Sequence, residues 1–392
     1  MRIGVAIPVL KNIFEGGGHT YKEFFLEELV KLGRDDEFYI FTTNDCPELQ
    51  KRYPQLKFIN IYRHTCSVRD RIRRRITTFV QRLLGIRDFW QPSPLDYSIL
   101  NNPVDFMIVL PNFFYPLNVP YAAVIWDCGA YEQPGFEEMV EQRRFFSEYL
   151  AQKLPFASKI FVGTEVGKQE IATNFNIPKD KICVLPFSVP SVQYSASNIL
   201  ENFSVKSPFL FYPAQFWAHK NHITILRAVS ILREKYNISL DVVFTGSDKG
   251  NQSFVQQECE KYGLSDCVHF CGFLSNEEIG YLYSNAFALV FASCLGPDNL
   301  PPLEAMSMNC PVISSRYPGA EEQLKDGAIF FDMLDEDQLA ERIKFLWENP
   351  QERQALIKRG KDTVKDSDNY MRDLFDALSC DLKIRTLWKT VS

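Results

Sequence analysis

Twice along this chain, short and nearly unbroken apolar runs alternate with longer amphipathic stretches. In the first half the runs are 2–10, 37–43, 56–62, 105–110, 121–127, 159–164 and 181–187. Helical spacing falls at 19–32, 69–84, 136–153 and 165–174. Strands with apolar residues on both faces, separated by helices, predict a parallel sheet covered on both sides. A stretch rich in Ser, Asn and Pro (189–208) reads as a linker. The pattern then restarts, with strands at 209–214, 240–246, 268–273, 288–293, 310–315 and 328–331. Helices fit 221–236, 250–263, 276–285, 301–308, 319–325 and 336–347. The fold class is therefore α/β, as two Rossmann-like, doubly wound parallel-sheet domains in tandem. The expected division is 1–195 and 205–368. Such sheets bind ligands beyond the carboxyl ends of their strands, so the site is expected in the cleft between two facing sheets.

Length and charge narrow the function classes. A chain of 392 residues exceeds one ordinary core and suits two domains. With 43 basic and 49 acidic residues the net charge is −6, which argues against nucleic acid as the main partner. The opening "MRIGVAIPVL" is too short and strand-like for a signal peptide, and no window has the apolar length of a membrane span. A cytoplasmic location is expected. The ten cysteines form no CxxC pair, and buried free thiols are the expected state.

Six stretches carry candidate chemistry. In "NIFEGGGHTYKEF" (12–24), Gly17 and Gly18 stand between a strand and a helix. There backbone N–H groups can meet an anion, or the glycines serve only as a flexible turn. In "FYPAQFWAHKNH" (211–222), Lys220 lies past a strand end, where an ammonium can neutralise a diphosphate. His219 and His222 flank it, but no third metal ligand stands nearby. "FTGSDKG" (244–250) places Gly246 in a turn able to wrap a nucleotide. In "ALVFASCLGPDNLPPLEAMSMNCPVISS" (288–315), Pro301 and Pro302 open a helix and Glu304 falls in its first turn. That carboxylate can accept from a ribose diol or merely cap its own helix. The N–H groups near Asn299 and Leu300 are expected to face a diphosphate. In "VIWDCGAYEQPGF" (124–136), Asp127 ends a strand and either orients a sugar hydroxyl or makes an Asx turn. Finally, "RDRIRRRITTFVQRLLGIR" (69–87) has seven arginines and one acid at helical spacing. It is either a packed helix with a solvated basic face or a peripheral contact with an anionic membrane.

Together these blocks resemble a glycosyltransferase of family 4, of GT-B fold, most specifically from about 205 to 350. The resemblance implies transfer of a hexose or deoxyhexose, with retention, from a nucleotide sugar to a hydroxyl of a glycan or lipid-linked saccharide in cell-surface polysaccharide synthesis. The resemblance also implies that 369–392 crosses back onto the first domain, and it implies no metal or other cofactor. Glu304 matches the second glutamate of the family's Glu-(seven residues)-Glu motif, which holds the donor ribose. Lys220 matches the lysine on the donor diphosphate, Asn299 and Leu300 its backbone cradle, and Gly17 and Gly18 the glycine loop. Three positions depart: Gly296 stands for the first glutamate, Gln215 for a basic residue, and Trp126 for the histidine before Asp127. Asp298 is a possible stand-in for the missing carboxylate. Two other functions share these features: a nucleotide-sugar 2-epimerase, and a non-catalytic partner that binds sugar nucleotide or glycan.

Overall fold

The computed structural model describes residues 1–8, 17–62, 93–133, 135–187, 198–206, 208–364 and 369–387. The basic stretch 69–87 and the first part of the glycine loop lie outside the described residues.

Seven strands form the first sheet: β1 (Arg2–Ile7), β2 (Glu37–Thr42), β3 (Lys57–Asn60), β4 (Phe106–Val109), β5 (Tyr121–Val124), β6 (Lys159–Val162) and β7 (Ile182–Val184). Their spatial order is β3-β2-β1-β4-β5-β6-β7, and every pairing is parallel. The second sheet holds β8 (Phe209–Pro213), β9 (Asp241–Thr245), β10 (Val268–Phe270), β11 (Ala288–Phe291), β12 (Val312–Ser315) and β13 (Ala328–Phe331). Its order is β10-β9-β8-β11-β12-β13, again all parallel. The near-continuous apolar runs are explained by this: β4, β5, β9, β11 and β12 are buried along their whole length, because helices cover both faces. Strand order reverses between β1 and β4, and between β8 and β11. These reversals are where the connecting loops diverge and leave a crevice at the carboxyl ends.

Two departures from the sequence reading have local causes. The region read as a linker contains a helical turn, Ile199–Asn202, because buried Ile199 anchors it in the second core. Short helices at Pro47–Arg52 and Pro94–Asn101 and a longer one at Pro350–Thr363 begin on proline, which suits a first helical turn. Of the ten cysteines, the nine described are free, Cys267 and Cys271 included. No helix among the described residues is long and apolar enough to cross a membrane.

After the second sheet the chain returns to the first. Helices Tyr370–Ala377 and Ser379–Leu387 bury Tyr370, Met371, Leu374, Phe375, Leu378 and Leu382 in the core beside β1. The Tyr370 and Tyr21 hydroxyls lie 2.8 Å apart in that core. Arg34 lies over the Phe375 ring, and Arg385 donates to the Asp105 carbonyl at 3.0 Å. Leu374→Ala is expected to leave a cavity at a site with no exposure. A loss of about 2–5 kcal/mol follows for the first unit, read as a lowered urea midpoint. An unchanged midpoint would show that the returning helices do not support that core.

Candidate active site

The second sheet positions its loops by adjacency. β8 and β11 pair directly, Ala288 with Leu210 and Leu289 with Phe211. The connections that follow them, one carrying Lys220 and the other leading to the helix of Glu304, therefore emerge side by side. Beyond β8, a 3₁₀ turn (Ala218–Lys220) ends at Asn221, which is left-handed at φ 56°, and helix His222–Tyr236 follows. Tyr212, fully buried, ties this turn to its strand by donating to the Lys220 carbonyl at 2.8 Å. The Lys220 ammonium points back into the crevice, 3.3 Å from Ser293 Oγ and 5.7 Å from the Phe291 ring centre. Burial lowers its pKa to about 8, opposed by the charge of Asp127 in the first domain. It is a cation short of counter-charge, as a diphosphate-binding group needs to be.

Glu304 is held differently from the sequence reading. Helix Leu300–Ser307 starts at Leu300, with Asn299 as its N-cap residue, so Glu304 lies beyond the first turn. The dipole at the helix start does not hold it. Its partner is Tyr283, a buried residue on helix Asn276–Asn285, which donates to Glu304 Oε2 at 2.9 Å. Burial raises the Glu304 pKa, and the Tyr283 hydrogen bond offsets this in part. One oxygen is thus fixed, and the carboxylate has acceptor capacity for a further partner.

The Asn299 main chain also differs from expectation. Its N–H donates to Gln323 Oε1 at 3.0 Å and its carbonyl accepts from Gln323 Nε2 at 3.0 Å. The amide is already paired and is not a free donor in this arrangement. Leu300 packs against the first domain's core beside β1. Gly246 needs to be glycine: its φ is 137°, and a Cβ would come 2.5 Å from the Ala214 carbonyl oxygen. Gln215 accepts from Trp217 Nε1 at 3.0 Å.

From the first domain, Asp127 follows β5 and makes the Asx turn, accepting from Gly129 N–H at 2.8 Å. Burial raises its pKa, while that N–H and the charge of Lys220 lower it. The turn and the cleft-facing position coexist. Gly17 and Gly18 open helix Gly17–Lys31, and a Cβ at Gly18 would meet the Trp126 ring at 3.1 Å. Trp126 therefore lies against the end of the glycine loop.

The two candidate metal histidines serve other ends. His219 donates from its backbone N–H to Glu138 Oε1 of the first domain at 3.0 Å, and its ring Nδ1 lies 3.0 Å from the same oxygen. His222 is fully buried, stacked 4.5 Å from Phe216 and flanked by Tyr212 and Phe244.

Residues that spacing did not reveal join the domains. Glu322 accepts from the Glu165 and Val166 N–H groups at 2.7 and 3.3 Å, capping helix Glu165–Phe175 from across the cleft. Leu295 is buried in the first domain's core beneath β5 and β6. Asp298 reaches Gly163, where a Cβ would lie 1.6 Å from Asp298 Oδ2. All are long-range contacts that no local pattern announces. A cavity of about 10 Å³, room for one water, is lined by Glu132, Glu170, Leu295, Gly296 and Pro297 among others.

Gly296 is more than a lost side chain. Its φ is 94°, in the left-handed region, and a Cβ would press on the Asn299 amide at 3.2–3.3 Å. Gly296→Glu is expected to strain the loop by about 1–2 kcal/mol, lowering the melting temperature without raising any transfer activity. A gain in activity would show that this backbone readily accepts the acid. A second outcome concerns pH. Burial holds the His222 pKa down at about 3. The folded pKa lies below the unfolded one, so stability is present above about 6.5 and is lost as pH falls toward 3. Between pH 7 and 5 the loss is about 2 kcal/mol. Melting curves should show this slope reduced in His222→Phe; an equal slope would refute it.

Residues 199–363 match the family model described as "Glycosyl transferases group 1". The chain is similar to the O-antigen chain mannosyltransferase RfbU of Salmonella typhimurium, 29% identical over 209 residues. That match covers 53% of this chain and 56% of the relative, so the chain spans only about half of that protein's length. In structure it is similar to a glycosyltransferase from Rickettsia africae, with a TM-score of 0.68 at 16% identity, covering 96% of this chain and 98% of the other. It is also similar to Anabaena HepE, solved in complex with UDP, with a TM-score of 0.69 at 14% identity, covering 97% and 100%. The two parallel-sheet domains are the GT-B fold of these neighbours, and residues 199–363 are the part that matches the glycosyl transferases group 1 model.

Proposed function

We propose that the protein is a retaining glycosyltransferase. It moves a hexose or deoxyhexose from a nucleoside diphosphate sugar to a hydroxyl of a glycan or lipid-linked saccharide in cell-surface polysaccharide synthesis. The observation that carries this reading is the placement of Lys220 and Glu304 on the connections that follow paired strands β8 and β11, at the point where strand order reverses. The group 1 match over 199–363 and the mannosyltransferase named among the relatives support it, and the neighbour solved with UDP supports a nucleotide-bound donor.

In this reading Glu304, steadied by Tyr283, accepts from the donor ribose. Gly246 lets the loop after β9 approach the nucleotide. Lys220 meets the diphosphate as it leaves, and its charge is strongest where water is excluded. Because its ammonium stands in a crevice that lowers its pKa, an arriving diphosphate gains more from it than it would from a solvated lysine. Front-face departure of the diphosphate lets the acceptor hydroxyl attack from the same side. Closure of the sheets limits loss of the donor to water. Asp127, opposite Lys220, orients the sugar or acceptor. The basic stretch 69–87 is proposed to make a peripheral contact with the inner face of the membrane, bringing a lipid-linked acceptor near.

Incubation with UDP-, GDP- and dTDP-sugars and an acceptor tests the reading. Nucleotide release that depends on acceptor supports transfer; sugar interconversion indicates an epimerase, and binding without turnover a non-catalytic partner. Glu304→Ala should weaken donor binding by about 10- to 100-fold. Lys220→Ala should lower kcat by about 100- to 1,000-fold. Unchanged donor binding and turnover in both variants would sink the assignment.

A further inference from the structure

The loop between β11 and helix Leu300–Ser307 is fastened at nearly every residue. The Leu295 N–H donates to Ser293 Oγ at 3.4 Å. Asn299 Nδ2 donates to the Leu295 and Gly296 carbonyls at 3.3 and 3.2 Å. Gln323 clamps both backbone groups of Asn299, and is itself steadied by the Tyr317 hydroxyl at 2.9 Å. Behind the loop, Gly319 comes so near Pro297 that a Cβ there would lie 2.1 Å from the Pro297 carbonyl oxygen. A support held this way presents its remaining side chain in one place.

That side chain is Asp298. Its Oδ2 is enclosed and accepts no hydrogen bond from any described residue. Burial raises its pKa well above the carboxylate range, and the charges of Asp127, Glu170 and Glu322 add to this; the Gly163 N–H opposes them. The nearby Tyr21, Tyr317 and Tyr370 bring no positive charge. An enclosed acceptor without a donor costs a folded protein stability and is uncommon unless a partner arrives from elsewhere. A nucleotide seated on Lys220 and Glu304 would present its sugar to this same loop.

We infer that Asp298 is the donor-sugar positioning residue of this chain, accepting a hydrogen bond from a sugar hydroxyl in the place left by Gly296. The inference rests on the glycosyltransferase reading and sharpens it. The carboxyl is displaced two residues along a loop whose backbone at 296 is left-handed, so it meets the sugar from a different direction than an acid at 296 would. As the sheets part, Asp298 leaves Gly163 with the second domain, and the incoming hydroxyl supplies the donor its Oδ2 lacks. Asp127 stays on the opposite wall, within reach of the Lys220 charge, so the sugar enters between two carboxyl groups. A neutral polyol with several hydroxyl donors suits that pair, and a sugar carrying its own carboxylate does not.

The test compares Asp298→Asn and Asp298→Ala with the unmodified chain. The asparagine variant preserves the side-chain volume at Gly163, so it reports on chemistry even if the alanine variant is unstable. Binding of UDP, GDP and dTDP is measured by calorimetry, and kcat and KM with the preferred nucleotide sugar by nucleotide release. The expected result is nucleoside diphosphate affinity within about twofold of normal. Turnover efficiency with the sugar donor should fall about 10- to 100-fold, the scale of leaving an enclosed hydroxyl donor without its partner. Equal losses for nucleotide and nucleotide sugar, or no loss for either, would overturn the inference and leave Asp298 an interdomain contact. If the unmodified chain binds none of the three nucleotides, the glycosyltransferase reading itself falls, and this inference with it.

Discussion

The pairing of β8 with β11 is the constraint on which the cleft depends. Two strands far apart in sequence, 209–213 and 288–291, lie hydrogen-bonded at the centre of the second sheet. Their order reverses there, so the connections leave in opposite directions and open a crevice. Lys220 leaves from one strand and Ser293, Asp298 and Glu304 from the other. Ser293 shows how closely the two loops are knitted. Its hydroxyl contacts the Lys220 ammonium at 3.3 Å, and its carbonyl accepts from Ser315 at the end of β12 at 2.6 Å. Moving β11 by one position would separate the cation from the carboxylate and turn the side chains of that strand to the wrong face.

Much of this was legible because parallel sheets write themselves into sequence as apolar runs. The strands fell where those runs stood, apart from ends trimmed by a residue or more, and the loops after β5, β8, β9 and β11 carried the polar residues that stood out. Lys220 and Glu304 were visible for that reason. What held them was not. Tyr283 looked like one more apolar position on an amphipathic helix, and only the packing of that helix beside Leu300–Ser307 turns its hydroxyl toward Glu304. Gln323 sat in an unremarked helical stretch, and Glu322 beside it on the same short helix looked like surface charge. Each acts across 24 or more residues, Glu322 on the other domain. Hydrophobic period reports burial, and it carries no information on where a buried hydroxyl or an exposed carboxylate finds its partner.

The three departures from the family pattern read differently once placed. Gln215 is engaged with Trp217, which leaves Lys220 without a second cation from that segment. Trp126 fills the space over Gly18, with its ring edge-on to Tyr21 at 5.6 Å. A rigid aromatic surface therefore stands where a smaller, titratable ring was expected. Gly296 belongs to a loop with its own backbone course. All three lie around the proposed sugar and diphosphate positions. The proposed ribose side, Glu304 with Tyr283, keeps its expected acid.

This distribution bears on how the site can vary. Groups that hold a nucleotide must satisfy an invariant ligand, so a change there costs binding for every donor. Groups around the sugar face a ligand whose hydroxyls differ only in direction, and a displaced acceptor can serve a differently oriented donor at little cost to the rest. Asp298 fits such a displacement physically, because the loop that carries it is braced from behind by Gln323 and Gly319 and does not rely on the residue at 296 for its shape. The same bracing sets a limit. Asp298 sits against Gly163, Leu295 sits in one core of the first domain and Leu300 packs against the other, so this loop is also a contact between the two domains. In the proposed enzyme, selectivity for the sugar and closure of the cleft are then carried by one short segment. A sugar that cannot engage Asp298 also leaves the loop without the contact that replaces Gly163, so in the proposed enzyme a poor donor should close the cleft poorly as well as bind weakly.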